Sequence, residues 1–446
     1  MRRDMRRLGL IFALLTVPCA GLAAEFTTLK GHGGPVMGIA VSETGQVATA
    51  SFDNAVGLWD GRDPTWLEGH EAAVTTVHFA DPSLLLSGSD DFRVLAWAPG
   101  LSKVQEIARH KGKVSDIASS AKAKIIASAS WDGTIAVRRV VDLLRTNSMT
   151  DLLYYTEQTL TGHDAGVNAL GFAKETGQLY SASTDGTIRA WDLSSGEGRV
   201  VLRHGFGVNR LVLDDAAGWL AYGAVDGVTR VIDLRTEAEL HDFTLERRPI
   251  LAMAYHPGTR QLAVGDGQGY IMMIDTAAWK IVRDFRATRQ GPVWALAFSA
   301  DGGMVYAGGL DDVAYGWPVD AMDKFAPAIE GERSFLRDAA TMPNGERQFM
   351  RKCSICHALT PGASRKAGPT LHDLFGRRAG TVQGYNYSPI LTGADIIWSD
   401  DSIGALFDLG PDHYIPGSKM PMQRITAKED RDDLIAFLKT ATQSGE

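Results

Sequence analysis

GHDAGVNALGFAKETGQLYSASTDGTIRAWD, residues 162–192, runs from a Gly-His pair (Gly162-His163) through an Asp-Gly turn (Asp185-Gly186) to Trp191-Asp192. Its segment Thr187-Ile188-Arg189-Ala190-Trp191 is short and bounded by Asp-Gly, as a hairpin strand requires. The same pattern recurs along the chain. Gly31-His32 leads to Asp53 and Trp59-Asp60, and Gly69-His70 leads to Asp91 and Trp97. Arg109-His110 leads to Asp132, with Arg138 in the Trp position, and Arg203-His204 leads to Asp226 and Ile232-Asp233. In these five copies the gap from His to Asp is 21 or 22 residues, and the step from Asp to the Trp position is six. Two degenerate copies lack the leading His: one ends at Ile274-Asp275 with Gln268 in the Asp position, the other at Trp317 with Asp311 six before it. Successive Asp positions lie 38 to 43 residues apart, except for 53 between Asp132 and Asp185. A period of ~40–45 residues is that of one four-stranded propeller blade.

On these residues, 25–320 resembles the WD40 family, which implies an all-β, seven-bladed propeller. Glu25 to Leu29 reads as an outer strand placed before its first Gly-His, and no such strand follows Trp317. The N-terminal strand is therefore expected to complete the seventh blade and leave no open edge. The resemblance also implies that each His bonds the Asp of its own blade's turn. The five His residues are then framework, not a metal site. No catalytic constellation is visible in this region. The long gap adds about ten residues within Val140 to Thr159, including Leu152, Tyr154 and Tyr155. They read either as an aromatic docking loop or as a longer outer hairpin.

Residues 1–24 read as a signal peptide. Arg2, Arg3, Arg6 and Arg7 precede an apolar run from Leu8 to Val17, and Pro18 to Ala24 is a small-residue region with cleavage expected near Ala23 or Ala24. The run is shorter than the ~20 residues of a spanning helix, so membrane contact is expected only if the signal stays uncleaved. A periplasmic location follows from export. Cys19 leaves with the signal, and the mature chain keeps Cys353 and Cys356. The signal carries four Arg and one Asp, so removing its +3 from the chain's −8 leaves −11. From Gly345 onward 12 basic and 12 acidic residues cancel, which places the acidic excess in residues 25–344. Such a body repels phosphate backbones and argues against nucleic acid as a partner.

Cys353-Ser354-Ile355-Cys356-His357 is a motif for covalent attachment of c-type haem. Residues i and i+3 share one helical face, so both thiols reach the two vinyl groups, and His357 at i+4 falls beneath the iron.

The following stretches extend the reading: Ala367-Gly368-Pro369-Thr370-Leu371-His372-Asp373-Leu374-Phe375-Gly376-Arg377, Gly384-Tyr385-Asn386-Tyr387, Trp398, and Tyr414-Ile415-Pro416-Gly417-Ser418-Lys419-Met420. With Gly345 and Phe349 ahead of the motif and Asp432 to Leu438 behind it, residues 345–446 resemble an all-α class I cytochrome c of the mitochondrial type. Residues 321–344 form the linker to it. The resemblance implies one haem c, with His357 and Met420 as axial iron ligands and Cys353 and Cys356 as thioethers. It implies that the Pro369 carbonyl orients His357. It places Arg377, Tyr387, Trp398 and Ser418 around the propionates, and Phe349 against the C-terminal helix near Leu434 and Phe437. Met422, His413 and Lys419 are rivals for the sixth position, and the family's loop pattern favours Met420. The chain departs from the family at Phe407, where a Tyr is usual, and at Asp412-His413, where two lysines are usual. A basic haem edge near Arg351, Lys352, Arg365 and Lys366 would favour an acidic partner, and the chain's own acidic propeller is one candidate.

The reading these features favour is an electron carrier, not an enzyme, tethered to a propeller that docks periplasmic redox proteins. Two alternatives stand beside it: an oxidoreductase whose propeller holds a second cofactor or substrate, and a redox-sensing scaffold.

Overall fold

The computed structural model describes residues 25–97, 104–140, 154–247, 249–288, 291–324, 341–362 and 365–443. The expected signal peptide, Leu152 and most of the linker fall outside these residues. Strands β1 (Thr27–Lys30) to β28 (Val313–Pro318) form seven four-stranded sheets among them. The innermost strands are β2 (Val36–Val41), β6 (Val74–Asp81), β10 (Val114–Ser120), β14 (Val167–Phe172), β18 (Val208–Asp214), β22 (Ile250–His256) and β26 (Val293–Phe298). Each touches the next, and β26 returns to β2, so the sheets close into a seven-bladed propeller. β1 pairs antiparallel with β28, Thr27 opposite Gly316 and Lys30 opposite Val313, and thereby supplies the outer strand of the last blade. First and last repeats are locked together and no edge is left at the seam.

The second strands of blades 1 to 5 are buried along their whole length, as in β3 (Val47–Ser51) and β11 (Ile125–Ser130), because each blade is covered on both faces by its neighbours. Small residues make this stacking possible. A Cβ at Gly308 would come within 2.7 Å of Val36 Cγ1 in the next blade. Side-chain amides add cross-blade ties: Asn168 Nδ2 donates to Val208 O (3.0 Å) and Asn209 Nδ2 to Ile250 O (2.8 Å). The extra length before blade 4 resolves in part. Residues Tyr154–Leu160 form β13, the outer strand of blade 3, paired with β12 (Ile135–Val140). Tyr154 and Tyr155 thus belong to a hairpin strand and not to a loop.

A polar relay pins each repeat. In blade 1, Trp59 Nε1 donates to Thr49 Oγ1 (2.8 Å), which lies 2.7 Å from His32 Nε2, while His32 Nδ1 donates to Asp53 Oδ2 (2.9 Å). Asp53 also accepts from the backbone N–H of Gly33 and Ala55. Ser87 and Ser181 play the Thr49 part in blades 2 and 4. In blade 3, Arg138 replaces Trp and its Nε donates to Ile107 O (2.7 Å). In blades 1, 2 and 4 the His, Trp, Asp and hydroxyl groups of the relay all have partners, which is what a framework role demands. In blade 7, Asp311 Oδ2 accepts from the Tyr315 hydroxyl (2.8 Å), and Trp317 Nε1 has no hydrogen-bond partner among the described residues. Blade 6 solves the same problem with other residues. Arg247 Nε donates to Asp266 Oδ2 (2.7 Å), and Asp266 Oδ1 accepts from Gln268 N and Tyr270 N. The acidic anchor is therefore Asp266, two residues before the Gln268 that the repeat spacing selects.

The relay groups, together with His78, which lies 2.8 Å from Ser119 Oγ of the next blade, make the propeller sensitive to acid. Burial pushes the Asp185 carboxyl up, but hydrogen bonds from Thr187 and His163 outweigh it and hold the group at about 2. Burial keeps His163 below its ordinary value and takes His78 down to about 4. An unfolded chain takes up these histidine protons first, near 6.5, so stability present above that pH is lost as pH falls toward 4. Asp185 adds a further loss between its ordinary 3.8 and about 2. Scanning calorimetry should show Tm falling by about 2 °C or more between about pH 7 and pH 5. A constant Tm across that interval would contradict the linkage.

The C-terminal domain is helical: α1 (Asn344–Lys352), α2 (Pro389–Thr392), α3 (Asp400–Leu409), α4 (Pro411–Tyr414) and α5 (Lys428–Ala441). α1 crosses α5, with Phe349 and Phe437 ring centroids 5.6 Å apart. The crossing is close because position 345 has no side chain: a Cβ there would lie 2.1 Å from Asp433 O. Asn344 Nδ2 locks it by donating to Asp430 Oδ1 (2.8 Å) and Asp433 Oδ2 (2.7 Å). Gly345→Val should cost about 1–3 kcal/mol by forcing the helices apart. The expected readout is earlier loss of helical circular dichroism on heating.

Candidate functional site

α1 ends at Lys352, and the chain makes one more turn through the cysteine motif, with His357 N donating to Cys353 O (2.8 Å). That turn brings Cys353, Cys356 and His357 to the wall of a cavity of about 350 Å³. Pro369, Arg377, Tyr387, Trp398, Ser418 and Met420 line the same cavity, so all nine residues singled out in the sequence meet there. Phe407 on α3 joins them.

His357 Nδ1 donates to Pro369 O (2.7 Å), which leaves Nε2 with its lone pair. Burial holds the imidazole below its ordinary pKa, so the ring stays neutral and able to bind a metal. The close approach needs Gly368, where a Cβ would lie 2.4 Å from His357 Cε1. Cys353 and Cys356 are free thiols, and burial pushes Cys353 up to about 12. Arg377 is aimed by backbone carbonyls, its Nη1 donating to His372 O (2.5 Å) and its Nη2 to Thr370 O (2.8 Å). Tyr385, quoted in the sequence without a role, donates its hydroxyl to Ala367 O (2.6 Å) and packs edge-on against Tyr387. Burial pushes its pKa to about 12, so it remains a donor.

Of the rivals of Met420, Met422 and His413 are not among the cavity-lining residues, and Lys419 lines the cavity but turns to another partner. Met422 is 52% exposed and packs beside Gly410. His413 is exposed and 3.1 Å from Asp412 Oδ1. Lys419 points toward Glu71 of the propeller, 3.7 Å away. His372 Nε2 lies 3.3 Å from Asp373 Oδ2.

A planar, largely apolar macrocycle with polar edge groups suits this cavity. Two free thiols and a neutral imidazole face it together, and the buried hydroxyls of Ser388 and Ser418 have no hydrogen-bond partner in the described structure. The donor set and the orphaned hydroxyls fit haem c.

Comparison with known proteins agrees with this geometry. Residues 343–442 match the family described as cytochrome c, and five segments (24–60, 63–98, 101–137, 155–192 and 279–317) match the WD domain, G-beta repeat. The cytochrome c of Sesamum indicum is 44% identical over 101 residues, 22% of this chain and 88% of that protein. That of Nigella damascena is 41% identical over 106 residues, 23% of this chain and 93% of the relative. That of Arabidopsis thaliana is 40% identical over 99 residues, 22% and 88% respectively. The chain belongs to the cytochrome c family. Its cytochrome domain is fused behind WD40 repeats, and the stretch between residues 193 and 278, which supplies strands to blades 4, 5 and 6, lies outside the five matched segments.

The sequence offers the chain's own acidic propeller as one candidate partner of the haem edge, without naming its residues. Phe52, Asn54, Glu71, Ala72, Ala73 and Asp90 of the propeller complete the wall of this cytochrome's cavity.

Proposed function

We propose that this protein is a periplasmic, mono-haem electron carrier in which His357 and Met420 are the axial ligands and the propeller docks a redox partner. The observation that carries the reading is the convergence of Cys353, Cys356, His357 and Met420 on one cavity. Haem bound there supplies a one-electron iron couple. The chain's residues do the rest. Cys353 and Cys356 anchor the group, and Pro369 fixes the His357 ring and raises its basicity. Met420 adds a neutral thioether, which favours the reduced state and raises the potential. With His357 and Met420 both holding the iron, haem there would keep no position open for substrate, the behaviour of a carrier. Arg377, Tyr387, Trp398 and Ser418 line the cavity and would supply partners for the propionate charge.

The docking role of the propeller is supported by Trp131 (55% exposed) and Phe206 (60% exposed). Both lie in loops on the face that carries the Asp turns, the face that also meets the cytochrome domain. Aromatics of this kind anchor protein partners. The periplasmic location rests on the basic, apolar and small-residue succession of residues 1–24.

Protein-film voltammetry of the holoprotein tests the reading. One reversible one-electron wave at high potential is expected, insensitive to carbon monoxide. A catalytic current, or a wave displaced by carbon monoxide, would replace the carrier by an enzyme.

A further inference from the structure

We propose that blades 1 and 2 of the propeller are the resident docking partner of the cytochrome's haem edge. They cap the cavity in the full chain, and an external redox partner gains the haem when this contact opens. The inference rests on the carrier reading above and names the surface that governs access to it.

Four observations converge on one patch. Arg365 Nη2 donates to Glu68 Oε1 (2.7 Å), and its guanidinium lies over the Trp66 ring at 4.3 Å. Trp66 in turn packs edge-on against His32 of the blade 1 relay, with centroids 4.7 Å apart, so Arg365 rests on a rigid part of the propeller. Lys419, next to Met420, lies 3.7 Å from Glu71 Oε2. The backbone also fits closely: a Cβ at Gly33 would fall 1.7 Å from the Arg365 carbonyl oxygen. Finally, propeller side chains, Phe52 and Asp90 among them, complete the wall of the cavity that His357 and Met420 line.

Charge favours the same pairing. Residues 345–378 carry seven basic and two acidic groups, against an acidic propeller. The pairing is selective: Lys352 and Lys366 bond backbone carbonyls of their own domain, while Arg365 and Lys419 reach across. The two acidic partners are largely exposed, Glu68 at 70% and Glu71 at 59% of their side chains. Exposed pairs are weak and screened by salt, so this cap is reversible. A partner arriving with its own acidic patch would compete for the same cations.

The test uses the full-length holoprotein in three forms: wild type, the Glu68→Lys/Glu71→Lys double variant, and Gly33→Leu. The last wedges the domains apart without changing charge. Reduction by an uncharged hydroquinone is followed by stopped flow at low and high ionic strength. Both variants should react about three- to tenfold faster than wild type at low salt, and added salt should speed wild type toward them. Equal rates in all three forms, independent of salt, would overturn the cap. Carbodiimide cross-linking reports the contact itself, whether or not haem is present. A Lys419–Glu71 linked peptide is expected from wild type and should vanish in Gly33→Leu; its absence from wild type would overturn the docked geometry. Failure of all three forms to exchange electrons, with the cross-link intact, would instead count against the carrier reading.

Discussion

Met420→Ala will open the sixth iron position. The ferrous holoprotein should then bind carbon monoxide, lose its low-spin spectrum, and show a reduction potential lower by roughly 100 mV or more, since axial ligands tune potential over hundreds of millivolts. The expectation follows from placement: Met420 lines the cavity with His357, whereas Met422 is half out in solvent. Met422→Ala should therefore leave spectrum and potential unchanged. Met420→His separates ligation from packing, because it refills the position and should again refuse carbon monoxide, at a lowered potential. A Met420→Ala protein with an unaltered spectrum would transfer the ligand role to another residue.

The second large effect concerns the thiols. Cys353→Ser combined with Cys356→Ser should give a chain with the mass of the polypeptide alone and no colour after acid-acetone extraction. The fold should suffer as well. Without haem the largely apolar lining of the cleft is left facing water, and the burial that haem would supply to the domain's core is lost. Helical circular dichroism should fall, while the propeller, whose core is built from its own blades, keeps its strands and its thermal transition. A haem-bearing double variant would contradict the attachment role of these cysteines.

Much of the propeller was legible because its repeat is written in chemistry as well as spacing. A His, an Asp about one turn of hairpins later, and a Trp six beyond form one bonded relay, as Trp59, Thr49, His32 and Asp53 do. Blade 6 was legible in period and not in detail. An ion pair from Arg247 to Asp266 satisfies the same turn, and no His-to-Asp rule finds it. Tyr154 and Tyr155 remained ambiguous in sequence because an aromatic run suits either a docking loop or an outer strand; pairing with β12 decides for the strand. In the cytochrome domain, local motifs marked the residues that now share a cavity. The propeller's share of that cavity was signalled only by charge: Arg365 reads as part of a basic haem edge and the propeller as an acidic body, but Glu68 and Arg365 stand 297 residues apart and no local pattern pairs them. Only the folded arrangement of two domains places them together.

The central claim is one covalently attached haem with both axial positions filled by the chain. Intact mass combined with oxidised, reduced and carbon monoxide-treated spectra of the native-host protein tests it most directly. The account predicts the mass of the cleaved polypeptide plus a single haem, with a low-spin spectrum that carbon monoxide leaves unchanged. A mass without haem, or a ferrous iron that binds carbon monoxide, would contradict it.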